Sequence, residues 1–373
     1  MTPQFEVVAE CPHTRARAGV LQTPHGSVET PVFMPVGTQA TVKALTPRQL
    51  ADELDARVLL ANTYHLWLRP GADTIEAGGG LHQFMGWPRS LLTDSGGYQV
   101  FSLAGLRTIT EEGVAFRSHL DGSSRFLSPE SAVDIQRALG SDVMMVLDDC
   151  TPYPASERQA RDSMELTIRW AGRSFDHWRI AGVDSRAQLF PIVQGATHVS
   201  LRRECARRLV ELDAPGYAIG GLSVGEPRPL SFEMTAACEE HLPRDKPRYA
   251  MGVGMPHELG EYIALGIDMM DCVLPSRNAR NGCLFTGSGK IMIKNAVHAS
   301  DHGPVDPACH CYVCRNFSRA YLRHLFLAKE MLFSTLATLH NLTLYLDRVR
   351  QMREAIISGC LPEYLRRVAA EIG

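Results

Sequence analysis

The sequence predicts an α/β protein, and within that class a (β/α)8 TIM barrel. Eight short apolar runs recur over the first 275 residues, and helical patterns separate most of them. Most of the runs also end on a residue able to do chemistry. Strands buried on both faces read as short apolar runs, and barrel enzymes carry their working groups at the C-terminal ends of such strands.

In chain order, VFMPVG (32–37) leads to Thr38, and VLLANTYH (58–65) carries its own polar end. SLLTD (90–94) ends in Asp94, VMMVLDD (143–149) in Asp148 and Asp149, and LFPIVQ (189–194) in Gln194. YAIGG (217–221) ends in a glycine pair, RYAMGVG (248–254) in Met251 and glycines, and IDMMD (267–271) in Asp271. Between them, TPRQLADELDA (46–56) opens a helix with Thr46 and with Pro47 at the first helical position. SPESAVDIQRALG (128–140) has Ser128 as N-cap, Pro129 at the first turn and Gly140 past the end. Further helices are expected over 155–181, 198–212, 229–242 and 256–266.

Residues 4–30 alternate between apolar and polar, which predicts a small antiparallel sheet capping the barrel. Residues 105–127 also alternate and hold an Asp121-Gly122 turn, which predicts an inserted β-hairpin. Beyond Arg277 come a Gly/Asn-rich stretch, a short strand (KIMIKN), a cysteine-rich segment and long C-terminal helices. The expected division is 1–275 for barrel and cap, 276–345 for a metal-binding subdomain, and 346–373 for helices returning to the barrel.

Bulk composition excludes several classes. At 45% hydrophobic and 21% charged, with a mean hydropathy of −0.10, the chain reads as an ordinary soluble protein. It has no apolar run of about 18 residues, so no membrane span is expected. The N-terminus lacks the basic-then-apolar order of a signal peptide, and the ten cysteines are not spaced as a disulfide framework, so a cytoplasmic protein is expected. Net charge is −3, yet the segment from Arg277 to Glu330 has eight Lys/Arg against three acidic residues. That local +5 leaves −8 elsewhere, and a basic stripe just after the last strand suits either a solvated helix face or a phosphate track.

Cys309, Cys311 and Cys314 form C-x-C-x2-C, a spacing that turns three thiolates toward one metal ion, and zinc is the expected ion. The fourth ligand is open among His298, His302, His310, His324 and His340. His310, between two of the cysteines, is expected to point away, and His340 sits in an apolar helix where a lone ring needs a partner. Four protein ligands would close the site and make it structural.

Asp94 and Asp271 end the third and eighth runs. Paired carboxylates above a barrel suit displacement at a sugar's anomeric carbon, one attacking and the other moving the proton. Each alone also reads as a helix cap or loop staple. Asp148 and Gln194 offer an acceptor beside a donor, which matches the edge of a guanine-like base. The Gly220-Gly221 backbone adds an N–H at close approach, and Tyr98 and Met251 are placed to cover the base's two faces, though packing at the barrel mouth explains Met251 as well.

These motifs, TDSGGYQVFSL, LDDCTPYP, PIVQG, GGLSVGE, MGVG and DMMDCVLPSRNARNG, with C-x-C-x2-C and a downstream His, resemble in content and order those of bacterial tRNA-guanine transglycosylases, the queuine tRNA-ribosyltransferases. NTYHLWLRPG (62–71) and FRSHLDGS (116–123) match as well. The resemblance implies a zinc-containing barrel acting as a homodimer. It implies removal of guanine from the wobble position of GUN-anticodon tRNAs (for aspartate, asparagine, histidine and tyrosine) and insertion of a 7-deazaguanine. By the same resemblance Asp271 is the nucleophile and Asp94 the general acid/base. Asp148, Gln194 and the Gly221 N–H read the base between Tyr98 and Met251. Leu222 carries a peptide that flips, supported by Glu226. Cys309, Cys311, Cys314 and His340 hold one structural zinc, and Arg277 and Arg280 lie beside the anticodon loop.

The chain departs from the usual pattern at Asp149, where many members have Glu, and at Ser223, where Ala is common. A retaining glycoside hydrolase explains Asp94 and Asp271 but neither the Asp148/Gln194 pair nor the cysteine cluster. A non-catalytic tRNA-binding subunit would be expected to lack Asp271.

Overall fold

The computed structural model describes residues 4–101, 107–180 and 187–372. Eight parallel strands form a ring. Val32–Pro35 pairs with Met269–Cys272 on one side, and on the other meets Val58–Ala61 through a bridge from Val36 to Leu60 and the Gly37 N–H to Leu60 O bond at 2.6 Å. The ring continues through Ser90–Thr93 and Val143–Met145 to a fifth strand, then Tyr217–Ile219 and Arg248–Ala250 back to Met269–Cys272. All eight expected runs supply one strand each.

The fifth strand is broken into Gln188–Phe190 and Ile192–Val193. The reason is Pro191, which has no N–H to give the ladder. Its carbonyl still accepts from Ala218 N at 2.9 Å, and Phe190 O accepts from Val146 N at 3.0 Å, so both neighbours stay attached.

Three antiparallel strands, Phe5–Glu10, Arg17–Thr23 and Gly26–Thr30, form the expected cap. It closes the end where the barrel strands begin. The Arg17 guanidinium donates to both oxygens of buried Asp268 at 3.0 and 2.6 Å, just ahead of the eighth strand. Thr23 Oγ1 meets Ser90 Oγ at 2.7 Å, and Gln188 Nε2 donates to Gln22 O at 2.7 Å. The cap therefore covers that end of the barrel, opposite the C-terminal mouth.

Helices Pro129–Ala138, Glu157–Ile180, Val199–Val210 and Arg228–Glu239 lie where the periodicity puts them. Ser128 accepts from Ser131 N and Ser131 reciprocates, a capping box. Two elements differ from expectation. The segment opened by Thr46 and Pro47 winds into a wide turn over Gln49–Glu53, where Leu54 N reaches back to Gln49 O at 3.0 Å. The insertion is a three-stranded sheet, Arg107–Ile109, Val114–Arg117 and Ser124–Leu127, rather than a hairpin, because the chain reverses at Glu111–Gly113 as well as at Asp121-Gly122. Residues 102–106, part of the TDSGGYQVFSL motif and of the expected hairpin, lie outside the described residues.

After the eighth strand come helix Leu274–Arg280 and a hairpin of Cys283–Thr286 with Gly289–Met292. The 27-residue helix Met331–Ile357 then runs from the cysteine cluster to the barrel wall and cap, straight through the division expected at 345/346. Its middle is buried on nearly every side, from Leu336 to Leu346, which is why no amphipathic stripe marks a boundary there. Among the described residues no helix is long and apolar enough to cross a membrane.

Candidate active site

The C-terminal ends of the strands surround a cavity of about 590 Å³. Asp94, Tyr98, Asp148, Gly221, Leu222, Met251, Asp271 and Arg277 all line it. These sequence-predicted residues come from five strand ends or the loops that follow them.

Asp94 follows the fully buried strand Ser90–Thr93. Its carboxylate accepts from Thr63 N at 2.9 Å, Gly96 N at 3.2 Å, Gln99 Nε2 at 2.8 Å, and the Asn62 amide. It therefore staples the start of helix Thr63–Leu68 and lines the cavity at once. Burial pushes its pKa up, and the four donors work against that rise. Asp271 lies in the eighth strand, where one oxygen, Oδ1, accepts from Tyr249 OH at 2.6 Å and Gly252 N at 2.8 Å. Burial, with a smaller contribution from the Asp94 charge, pushes Asp271 up to about 6.

At the ends of the fourth and fifth strands, Gln194 Nε2 donates to Asp148 Oδ2 at 2.7 Å, and Ser95 Oγ approaches Oδ1 at 3.5 Å. Burial, then the neighbouring Asp149 and Asp94 charges, pushes Asp148 up to about 6. Gln194 itself is 1% exposed and lies behind Asp148 rather than in the cavity wall. Gly221 has φ +64°, and a Cβ there would fall 2.1 Å from Gln194 Oε1, so position and contact both require glycine. Asp149 is not in the wall, although its neighbours Asp148 and Cys150 are. Its amide is turned outward to Thr167 Oγ1 at 3.0 Å.

Beside Gly221, Glu226 accepts from Ser223 N at 2.5 Å, Val224 N at 3.0 Å and the Ser231 hydroxyl. Burial acts to raise its pKa, but these donors outweigh it and hold the carboxyl below its usual range. The Leu222–Ser223 peptide thus turns its N–H to Glu226, and planarity sends the Leu222 carbonyl the other way.

Sequence reasoning passed over several members of this site. Asn62, Gln99 and Tyr249 carry hydrogen bonds to the carboxylates; they fall inside segments already singled out, but nothing in their spacing shows which carboxylate each one meets. Arg202 is fully buried and donates to Ala196 O, Val193 O, Gly220 O and Gly221 O at 2.7–3.2 Å, tying the fifth and sixth strand ends together. Its signal was available: a charged residue beside Leu201, Cys205 and Leu209 on the apolar face of a helix needs a buried partner.

The cysteine cluster stands apart from the cavity. His340 Nδ1 lies 3.9, 3.6 and 3.4 Å from the sulfurs of Cys309, Cys311 and Cys314, so these four residues could hold a metal ion. His340 Nε2 bonds Phe285 O at 2.7 Å, which leaves Nδ1 as the ligand atom. His310 is turned toward Asp347, 3.5 Å away, as expected of the residue between two ligands. The next residue on the helix, Asn341, bonds Phe285 N, Cys283 O and Pro275 O at 2.9–3.0 Å. Arg277 and Arg280 are exposed on helix Leu274–Arg280, directly after Asp271.

Fold and site together define a barrel enzyme with a buried acid pair at its mouth and a separate Cys3His centre. A family model described as Queuine tRNA-ribosyltransferase matches residues 11–373. The chain is 63% identical over 370 residues to a queuine tRNA-ribosyltransferase of Solibacter usitatus, covering 99% of this chain and 98% of that one. Identity is 55% to the protein of that name from Caldanaerobacter subterraneus (97% and 95% covered) and 50% to that from Shouchella clausii (99% and 96% covered). The chain belongs to the queuine tRNA-ribosyltransferase family.

Proposed function

We propose that the protein exchanges guanine at the wobble position of GUN-anticodon tRNAs for 7-aminomethyl-7-deazaguanine, through a covalent ribosyl ester on Asp271. The observation that carries this reading is the grouping in one cavity of Asp94 and Asp271 with Asp148, which Gln194 holds from behind by a hydrogen bond. The first two suit substitution at a sugar carbon and Asp148 suits a guanine edge.

The Asp271 oxygen attacks C1′ of nucleotide 34 as the C1′–N9 bond breaks and its electron pair leaves with guanine. Asp94 gives the proton that the departing base takes up. The incoming base then returns a proton to Asp94, its N9 attacks C1′, and the ester bond to Asp271 breaks. Asp271 Oδ1 is fixed by Tyr249 and Gly252, which leaves Oδ2 to attack. Asp148 and the Gly221 N–H read the base, Gln194 fixes the Asp148 carboxylate from behind, and Tyr98 and Met251 sandwich the base.

The aminomethyl base is favoured because the Leu222 carbonyl, turned away from Glu226, suits an ammonium donor. Val224 lines the cavity where the larger cyclopentenediol of queuine would need room. The Cys309, Cys311, Cys314 and His340 donor set fits zinc, and with four protein ligands that ion supplies architecture rather than chemistry. Arg277 and Arg280 track the anticodon-loop phosphates. The working form is a homodimer in the cytoplasm.

The test is to incubate the protein with radiolabelled guanine and an unmodified GUN-anticodon tRNA. Label should enter the RNA, and no label above that seen with a tRNA of another anticodon would overturn the reading.

A further inference from the structure

At the closed end of the barrel, remote from the cavity, three side chains from three separate elements converge. His25 lies in the turn between the second and third cap strands, His82 in helix Gly80–Met85, and Asp142 just ahead of strand Val143–Met145. The two imidazole rings stack with centroids 3.5 Å apart and planes 16° from parallel. Both face one carboxylate: His25 Nδ1 is 2.7 Å from Asp142 Oδ1, and His82 Nε2 is 3.2 Å from Oδ2. We propose that His25, His82 and Asp142 form a second metal site, for a divalent ion of the zinc, nickel or cobalt type, which clips the cap sheet to the barrel.

The first support is a buried nitrogen left over. The His82 side chain is 10% exposed, and its Nε2 has no hydrogen-bond partner despite the nearby carboxylate, because the approach is misaligned. A buried polar atom left so costs about 1–3 kcal/mol, and a metal ion would take up its lone pair. Asp142 Oδ2 is already occupied by Leu91 N–H at 2.8 Å, so the carboxylate has little capacity to realign toward His82.

The second support is the donor set and its reach. The three ligand atoms lie within 4.8 Å of one another. A tetrahedral ion with bonds of about 2.0–2.1 Å holds its donors about 3.4 Å apart, and because the two rings are stacked 16° from parallel, one of them must swing out of the stack for both in-plane lone pairs to converge. His25 can make that swing, being 39% exposed, and it opens the route from solvent. Asp142 cannot, since the Leu91 N–H pins its side chain and its carbonyl accepts from Gln188 N at 2.8 Å. Two imidazoles and one carboxylate select borderline ions over magnesium or calcium, which favour oxygen alone. Three protein ligands leave a position for water, but the site is at the wrong end of the barrel to touch the substrate, so its effect is on stability.

The test starts from protein carrying one zinc per chain and titrates it with Zn2+ by calorimetry, following the melting temperature in parallel. One further equivalent should bind and raise Tm. His25→Ala, at an exposed turn, should weaken that second equivalent at least tenfold and remove its Tm increment, with guanine exchange unchanged. His25→Cys, which restores a ligand, should recover binding. No second equivalent in the wild type, or a second equivalent that His25→Ala leaves intact, would overturn the proposal.

Discussion

Replacing Asp271 by Asn should abolish exchange and at the same time make the protein more stable. The carboxyl is raised from 3.8 to about 6 by burial, about two pKa units, and its ionised form therefore costs about 3 kcal/mol of folding free energy at neutral pH. Asparagine mimics the protonated acid, and its Oδ1 can keep both existing donors, Tyr249 OH and Gly252 N–H. The effect depends on pH with a definite sign. Because the native pKa lies above the unfolded one, the native state binds the extra proton between about pH 4 and 6, and stability falls as pH rises through that window. The full cost is present above it. At pH 7.5 the variant should gain about 3 kcal/mol, and at pH 5 about half that. For a chain of this length the gain corresponds to about 3–6 °C in Tm at pH 7.5. Asp148, also raised to about 6, titrates in both proteins and cancels from the difference. Scanning calorimetry at the two pH values measures the shift. Denaturing gels with tRNA and no incoming base measure the covalent adduct, which should form only with the wild type. A variant no more stable at pH 7.5, or one whose advantage persists undiminished at pH 5, would refute the electrostatic argument. An adduct formed by Asp271→Asn would move the nucleophile to another residue, Asp94 first.

Val224→Gly should raise kcat/KM for queuine relative to the aminomethyl base, and comparable values for the two bases in the wild type would remove the steric argument. Cys311→Ala should lower zinc content well below one per chain and weaken tRNA binding. Asn341, next to the ligand His340, holds the helix that bears Arg277 and Arg280, so hydrogen exchange should rise across residues 275–286. Arg277→Ala should leave zinc and guanine binding intact, weaken tRNA, and reduce the slope of log K against log salt by about one unit if the side chain contacts a phosphate. Asp148→Asn should raise KM for guanine about a hundredfold with a smaller change in adduct formation on tRNA, because a lost acceptor leaves base N–H groups unpaired in a buried pocket.

The barrel was legible because its strands are covered on both faces, which makes every one an apolar run whatever its partners. The polar residue closing each run was legible for the same reason: the chain leaves the core there. So Asp94, Asp148, Gly221 and Met251 stand out in the chain itself, and Cys309, Cys311 and Cys314 do so by local spacing. The break at Pro191 could be read from proline's missing N–H, whereas the third strand of the insertion could not, since alternation does not say where a chain reverses. Which histidine completes the cysteine cluster was open on spacing alone, because His340 is 26 residues beyond Cys314 and meets it only when the long helix packs back.

Pairing, too, belonged to the tertiary structure. Gln194 turns its amide to Asp148, Tyr249 reaches Asp271, and Arg202 grips four carbonyls from two strand ends, all across gaps of 6 to 46 residues. His25 and Asp142 meet across 117 residues because the cap sheet folds under the barrel. Sequence alone determined which residue types stand at the ends of buried strands, since burial imposes a local pattern. Only the closed ring decided which of them touch, and hence which carboxylates lose water and rise in pKa, since desolvation depends on everything packed around a group and not on its neighbours in the chain.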